Sequence, residues 1–255
     1  MVNKLQEVVA IMDRSGSMAG KVADSVGGFN STLDILREQQ EDDTLINVSV
    51  KLFDHEEIML IRSLPLTDVR PLEERQFVPR GQTALLDAMG NTLTYFMEKK
   101  LLHPNAYDCC TIYVVTDGFE NCSKTFTKKR IKQIVQTAEI TYNIKVIYLA
   151  ANQNAILEAG SLGIDANQAI NYSESREETQ AVYRSAAAMV ARHRSGEPVQ
   201  FLPAERSASQ RTHSSPPPSL YPTLFNIGST SPSSMPPPVL RQSSYSRSVR
   251  PRNES

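Results

Sequence analysis

Several features that mark common classes of protein are scarce in this sequence of 255 residues. It contains three cysteines and four histidines, and its 27 basic residues nearly balance its 28 acidic ones. A net charge of −1 supplies no field that would hold nucleic acid or an anionic membrane surface. No apolar run approaches the roughly 18 residues that a membrane span needs. We therefore expect neither a nucleic-acid-binding protein nor a membrane protein.

The few cysteines and histidines also limit the kinds of chemical site that the protein can contain. Cys109 and Cys110 are adjacent in a predicted strand and point to opposite faces of it, which indicates reduced, structural thiols. The histidines lack the spacing of a zinc site. Residues 1–5 lack the basic and apolar regions of a secretion signal. These features together predict a cytoplasmic location.

The composition changes near Ser195. Residues 195–255 hold eleven of the fifteen prolines and fifteen serines, which is too little apolar material for a core. We expect a folded domain over residues 1–194 and a disordered, mildly basic tail over residues 195–255. The proline runs of this tail favour the extended helix that proline-binding modules recognise, although a solvated linker accounts for the same composition.

Within residues 1–194, short apolar runs alternate with longer segments of helical period. This pattern predicts an α/β fold, in which helices cover both faces of a mainly parallel sheet. The predicted strands are residues 7–12, 45–53, 57–61, 111–116, 145–150 and 169–172. The predicted helices are residues 18–40, 84–101, 127–142, 154–160 and a last helix that begins near Ser175. The second and third strands are separated by three residues, too few for a crossover helix, so we expect them to pair antiparallel.

Side-chain oxygens gather at the ends of two predicted strands and at the start of one helix. The first strand runs into DRSGSM at residues 13–18, the fourth ends in TDG at residues 116–118, and GQT at residues 81–83 precedes the second helix. Ligand sites in open α/β sheets lie at the carboxyl ends of the strands. An all-oxygen set suits Mg²⁺ or Mn²⁺ and does not suit zinc. The predicted metal ligands are Asp13, Ser15, Ser17, Thr83 and Asp117.

Each of these pieces has an ordinary structural explanation when it is taken alone. Ser15 or Ser17 would serve as a helix cap, and so would Thr83. Asp117 followed by Gly118 is a common turn. Their occurrence in this order, each at a predicted strand end or helix start, favours the metal site.

Four neighbouring polar residues are less informative. Arg14 is expected to point outward. Asp87, one turn beyond Thr83, is expected to interact with the helix dipole and not to bind the metal. Glu120 and Asn121 either line the rim of the site or belong to a solvated loop.

The five predicted ligands resemble the metal-ion-dependent adhesion site (MIDAS) of the von Willebrand factor A domain, whose pattern is Asp-x-Ser-x-Ser, then Thr, then Asp. The sequence around these residues is most similar to that of small stand-alone A modules of bacteria, phages and large DNA viruses. The motifs that carry this similarity are MDRSGSM at residues 12–18, TALLDA at residues 83–88, TDG at residues 116–118 and AANQ at residues 150–153. The resemblance covers about residues 5–192 and excludes the tail.

The resemblance implies a sheet of strand order 3-2-1-4-5-6 with an antiparallel third strand. It also implies that the serines and the threonine approach the ion directly or through water, and that a carboxylate of a partner completes its coordination. The expected function is therefore metal-dependent binding of a protein that presents an exposed Asp or Glu, without catalysis.

Two other functions stay open. An aspartyl phosphatase also places an Asp and Mg²⁺ at the end of its first strand, but it needs a second acid two residues later, where this chain has Ser15. A structural protein whose metal only stabilises the fold would carry the same ligands.

Overall fold

A computed structural model of the chain describes residues 4–151, 154–173 and 175–210. Its strands are β1 Lys4–Asp13, β2 Thr44–Phe53, β3 Glu57–Pro65, β4 Cys109–Thr116, β5 Ile144–Ala151 and β6 Ala169–Tyr172. Its helices are α1 Val22–Glu38, α2 Leu85–Leu102, α3 Lys128–Tyr142, α4 Ala155–Ser161, α5 Arg176–Ser195 and α6 Pro203–Ser209. None of the helices in these ranges is both long enough and apolar enough to cross a membrane.

The strands form one sheet in the order β3-β2-β1-β4-β5-β6. Strand β3 pairs antiparallel with β2, and the other neighbouring strands pair parallel. The predicted α/β architecture, with helices on both faces, is confirmed. Because β1 and β4 are central and parallel, their carboxyl ends meet at the same edge of the sheet.

Two apolar layers enclose the sheet, one on each face. The first contains the buried side of α1 and α5, and the second that of α2 and α3. Alternate residues of β1 enter opposite layers, as the period of a strand requires: Val8 and Ala10 join the first, Val9 and Ile11 the second. The apolar residues that recur every three or four positions are buried in α1 (Val26, Phe29, Leu33, Leu36) and in α5 (Val182, Ala186, Met189), and Val22 at the start of α1 is partly buried.

The glycine pair in α1 has a different explanation from the expected one. Close approach of this helix to the sheet is the reason that the sequence suggests for Gly27 and Gly28. In the structure, a Cβ atom on Gly28 would lie 2.2 Å from the ring of Tyr183, which belongs to α5, whereas Gly27 has nothing within 4 Å. Gly28 therefore allows α1 to pack against another helix.

The folded chain continues beyond the boundary expected at residue 194. Phe201 is buried in the first apolar layer, and Arg192 of α5 pairs with Glu205 of α6 at 2.6 Å. Ser209 is also fully buried, so the packed region reaches at least this residue and the boundary at 194 is too early. The high proline and serine content of residues 195–255 concealed this segment, in which one aromatic side chain and a proline-initiated helix suffice for packing. The predicted disordered tail beyond it, residues 211–255, lies outside the described residues.

Replacing Phe201 with Ala should lower the free energy of unfolding by about 3 kcal/mol, because it leaves a cavity in the first apolar layer. Leu202→Ala is the matched control, since that side chain is 42 % exposed and should change stability by less than about 0.5 kcal/mol. Urea denaturation of the full chain measures both. Equal stability of the two variants would show that residues 199–210 do not pack in solution.

Candidate metal centre

Three loops meet at the edge of the sheet where β1 and β4 end. Asp13 is the last residue of β1, and Thr116 is the last residue of β4. The loop that precedes α2 lies against the loop that follows β1, since the Arg80 amide donates to the Arg14 carbonyl at 2.9 Å and the Gly16 amide to the Gly81 carbonyl at 3.2 Å. Gly81 has a φ of 66°, and any side chain there would collide with His55. A left-handed glycine thus permits the approach of the loops.

The predicted ligand oxygens of these loops lie close together. The hydroxyl oxygens of Ser15 and Ser17 are 3.1 Å apart, and Ser17 Oγ donates to Asp117 Oδ1 at 2.6 Å. The carboxyl group of Asp117 is fully buried. Side chains from the ends of β1 and β4 are therefore in direct contact.

Gly118 marks the centre of the cluster. A Cβ atom built on Gly118 would lie 3.3 Å from Thr83 Oγ1, 3.5 Å from Ser17 Oγ and 3.9 Å from Asp13 Oδ2. Oxygens from the end of β1, the loop after it and the loop before α2 thus face Gly118 of the loop after β4, across a space that a larger residue at position 118 would enter. The structure brings together all five residues predicted as ligands, and every donor among them is oxygen, a set that fits Mg²⁺ or Mn²⁺.

Burial controls the ionisation of Asp13. Its Oδ1 accepts from the Ser15 amide and its Oδ2 from the Thr116 hydroxyl, each at 2.7 Å. Desolvation nevertheless outweighs these hydrogen bonds and, with a small contribution from nearby Asp117, raises the pKa of Asp13 from 3.8 to about 6. A bound cation would favour the ionised form.

Arg14 does not point outward as expected. It is buried, with Nε 3.0 Å from Oδ2 of the buried Asp54, and Arg80 donates to the same oxygen at 2.9 Å. Glu56 pairs with Arg80. The expectation treated Arg14 as a loop residue, whereas the loop is covered by its neighbours and its cation needs a buried anion.

His55 stands beside Asp54 and Glu56, so that one ligand atom from each residue lies within 4.8 Å of the others. Sequence spacing did not suggest this group. Because Asp54 and Glu56 already pair with arginines, the cluster is an ion-pair network that braces the loop after β2.

Elsewhere in the described chain, His193 is buried between Thr111 and Asn143, and burial lowers its pKa to about 4.

Glu120 and Asn121 hold the loops in place. The Glu120 carboxylate accepts from the amides of Leu86, Cys122 and Ser123 at 2.7–2.9 Å. The Asn121 side-chain oxygen accepts from the Thr83 backbone amide at 2.9 Å, and the Asn121 backbone amide donates to the Thr83 carbonyl at 3.0 Å. These contacts fix Thr83 relative to the loop after β4.

Asp87 has a similar role. Its carboxylate accepts from three consecutive amides, those of Lys124, Thr125 and Phe126, at 2.7–2.9 Å. The carboxylate thus ties α2 to the segment that leads into α3, in addition to its favourable place in the first turn of α2.

Sequence reasoning missed two residues of the centre. The Thr116 hydroxyl orients Asp13, and the Lys21 ammonium contacts Asp117 Oδ2. A signal for Lys21 was present, because it is the sole basic residue between Arg14 and Arg37 and it lies at a helix start, where the dipole disfavours a cation. Thr116 belongs to the TDG motif at residues 116–118, but nothing in the sequence indicated that its hydroxyl would orient Asp13.

The thiols are free and unactivated. Cys109 and Cys110 are buried, Cys122 is half-buried, and desolvation raises the pKa of each, that of Cys109 to about 11. This agrees with the interpretation of the adjacent pair as structural residues.

No protein-family model matches the chain, and no curated protein does. Solved structures share its fold. Proximal thread matrix protein 1 from the mussel byssus has a TM-score of 0.50 and 12 % identity, over 73 % of this chain and 46 % of that one. This chain thus spans less than half of the mussel protein.

Two further structures match over most of their own length. The von Willebrand factor domain of the type V pili tip protein Mfa5 from Porphyromonas gingivalis has a TM-score of 0.52 and 10 % identity, over 75 % of this chain and 96 % of that one. Manganese-loaded TRAP protein from Plasmodium vivax has a TM-score of 0.50 and 16 % identity, over 73 % of this chain and 75 % of that one. At these identities the likeness establishes the fold, which is that of a von Willebrand factor A domain. Asn152 and Gln153, part of the AANQ motif, lie outside the described residues.

The raised pKa of Asp13 predicts how the stability of the metal-free protein depends on pH. The folded state disfavours the ionised carboxyl of Asp13, so the contribution of this residue to stability is fully present below pH 3.8 and is lost as pH rises through about 6. The rise in the pKa of Asp13 corresponds to a free energy of about 3 kcal/mol. Asp13→Asn should therefore unfold at higher denaturant than the wild type at pH 7.5 without divalent ions, and the difference should shrink at pH 4.5. A difference that does not change with pH would contradict the shift.

Proposed function

We propose that this domain binds a partner protein through a divalent cation, Mg²⁺ or Mn²⁺, held by Asp13, Ser15, Ser17, Thr83 and Asp117. The observation that carries the proposal is that three loops meet at Gly118: oxygens of Thr83, Ser17 and Asp13 lie 3.3 to 3.9 Å from the position of its Cβ atom, and Ser17 also contacts Asp117. These loops belong to distant parts of the sequence. Backbone amides that donate to the side chains of Glu120, Asn121 and Asp87 join the loop after β4 to the start of α2, and backbone hydrogen bonds join the loops after β1 and before α2, as a preformed ion site requires.

The composition of the site favours a ligand from another molecule. Three of its five residues contribute neutral hydroxyls, and the two carboxylates already accept hydrogen bonds from Ser15, Thr116 and Ser17. A bound ion with so little compensating charge would supply an electrophilic position for an additional carboxylate. The proposed partner therefore presents an exposed Asp or Glu.

An exposed aromatic residue adjoins the site. Phe119 follows Gly118 directly, and this residue is 64 % exposed. Aromatic residues dominate the energetics of many protein interfaces. We therefore assign Phe119 to the rim that contacts the partner beside the ion.

The acids near the site support binding without catalysis. Glu120 and Asp87 accept hydrogen bonds from backbone amides, and Asp54 is occupied by arginines. None of these three carboxylates is free to act as the general acid that a phosphatase needs, and Ser15 stands where such an enzyme has its second acid.

The compared structures agree with this proposal at the level of their descriptions: Mfa5 is a pilus tip protein, and TRAP was loaded with manganese. The reduced, unactivated thiols support a cytoplasmic location. We also propose that proline-binding modules of other proteins bind the tail, residues 211–255.

Gly118→Ala tests the geometry of the centre without changing its charge. The added methyl group would lie 3.3 Å from Thr83 Oγ1, in the space that the oxygens surround, so Mg²⁺ affinity should fall by at least about tenfold. Gly118 does not have a positive φ, so alanine adds no backbone strain. Gly20→Ala is the matched control, because a Cβ there meets nothing within 4 Å. Calorimetric titration with Mg²⁺ compares them; equal affinities would place the ion elsewhere.

Partner binding should require the ion and one acidic residue of the partner. Proteins captured on the immobilised domain should elute with chelator, bind less well in Ca²⁺ because of its longer bonds, and be lost with Asp13→Ala or Thr83→Ala. Changing acidic surface residues of a captured partner singly to Asn or Gln should reveal one whose loss weakens binding by about tenfold, or roughly 1.4 kcal/mol.

Replacing Phe119 distinguishes a domain that binds a partner through the ion from one in which the ion only stabilises the fold. Phe119→Ala should weaken capture and leave Mg²⁺ affinity unchanged. Ile140→Ala is the control, since Ile140 is 86 % exposed near the end of α3, towards the opposite edge of the sheet. If neither Phe119 nor any acid of the partner matters, the ion only stabilises the fold.

A further inference from the structure

The candidate metal centre contains a cation of its own. The Lys21 ammonium donates to Asp117 Oδ2, while Ser17 Oγ donates to Oδ1 of the same carboxylate. The side chain of Asp117 is fully buried, and only 20 % of the Lys21 side chain is exposed. Lys21 is thus the positive partner of one of the two carboxylates assigned to the divalent ion.

The backbone presents Lys21 to this carboxylate at some cost. A 3₁₀ turn over Gly16–Gly20 joins the end of β1 to α1, and the Lys21 amide donates to the Met18 carbonyl at 2.9 Å. Lys21 is then the residue before the first turn of α1, where the helix dipole repels a cation. Its contact with buried Asp117 offsets this repulsion.

The charges at the centre show what the lysine does to ion binding. Asp13 and Asp117 supply two negative charges, and Lys21 cancels one of them. In the part of the chain that the structure describes, no cation pairs with Asp13, which instead accepts neutral hydrogen bonds from Ser15 and Thr116. The oxygens that would receive a divalent ion therefore carry a net charge of −1.

We infer that Lys21 competes with the divalent cation for Asp117 and so sets the affinity of the centre. The lysine stabilises the metal-free protein, and it weakens binding of the ion both by sharing Asp117 and by repulsion between cations. With less protein charge around the ion, a carboxylate from outside is bound more strongly. This inference rests on the proposed metal site.

The test compares neutral and charged replacements of Lys21 in the full chain. Mn²⁺ is titrated and the free ion is followed by electron paramagnetic resonance. Lys21→Met and Lys21→Gln should bind Mn²⁺ at least about tenfold more tightly than the wild type, because a charge at this distance shifts proton affinities by tenfold or more. Lys21→Arg, which keeps the charge, should stay within about threefold of the wild type. Lys128→Met removes a lysine paired with Glu158 outside the centre and is the matched control.

Thermal unfolding supplies a second measurement. Without divalent ions the neutral variants should melt below the wild type, because Asp117 is left buried without its counter-ion, and Mn²⁺ should raise their melting temperature by more than it raises that of the wild type. Lys21→Gln retains a hydrogen-bond donor for Asp117 and decides the matter if Lys21→Met does not fold.

The outcomes separate the inference from the proposed site. If neutral variants bind Mn²⁺ with unchanged or lower affinity while Asp13→Ala abolishes binding, the site stands and Lys21 is structural. If the wild type and Asp13→Ala bind Mn²⁺ equally, the proposed site itself is wrong. Tighter binding in both neutral variants, with Lys21→Arg and Lys128→Met like the wild type, supports the competition.

Discussion

The burial of two carboxylates at one edge of the sheet is the constraint on which the rest of the centre depends. Asp13 and Asp117 end or follow the central strands β1 and β4, and neither is accessible to water. Charges in such a place need compensation. Asp13 obtains hydrogen bonds and a raised pKa, whereas Asp117 obtains a serine hydroxyl and an ammonium group. A divalent cation would satisfy both carboxylates together.

A second set of acids keeps the loops in position without facing the centre. Asp54 gathers Arg14 and Arg80, so that the loops after β1 and β2 and the loop before α2 share one buried anion. Glu120 and Asp87 replace water as acceptors for loop amides near the start of α2. The neighbourhood is rich in acids, yet these three are committed to protein partners. This division distinguishes them from Asp13 and Asp117, the two carboxylates of the proposed metal site.

The accuracy of sequence-based prediction followed the range of the interactions involved. The α/β class and the antiparallel pairing of β3 depend on local patterns in the sequence, and they were correct; the strand order, which the resemblance implied, was correct as well. Arg14, Gly28 and the segment around Phe201 were misjudged, because their environments come from residues distant in the sequence: Asp54, Tyr183 and the first apolar layer. Composition averaged over 61 residues also hid a single buried aromatic residue.

The sequence by itself determined the α/β class, the antiparallel β3 and the five oxygen-bearing residues, since alternation, short connections and motif order are all written along the chain. Only the tertiary structure decided how those oxygens surround Gly118, which acids serve the loops, and that Lys21 contacts Asp117. The physical reason is that desolvation and charge pairing depend on which side chains meet when parallel strands align their carboxyl ends. The spacing of residues in the sequence does not show how much water is excluded from Asp13 in the folded protein, and that exclusion sets the pKa of Asp13.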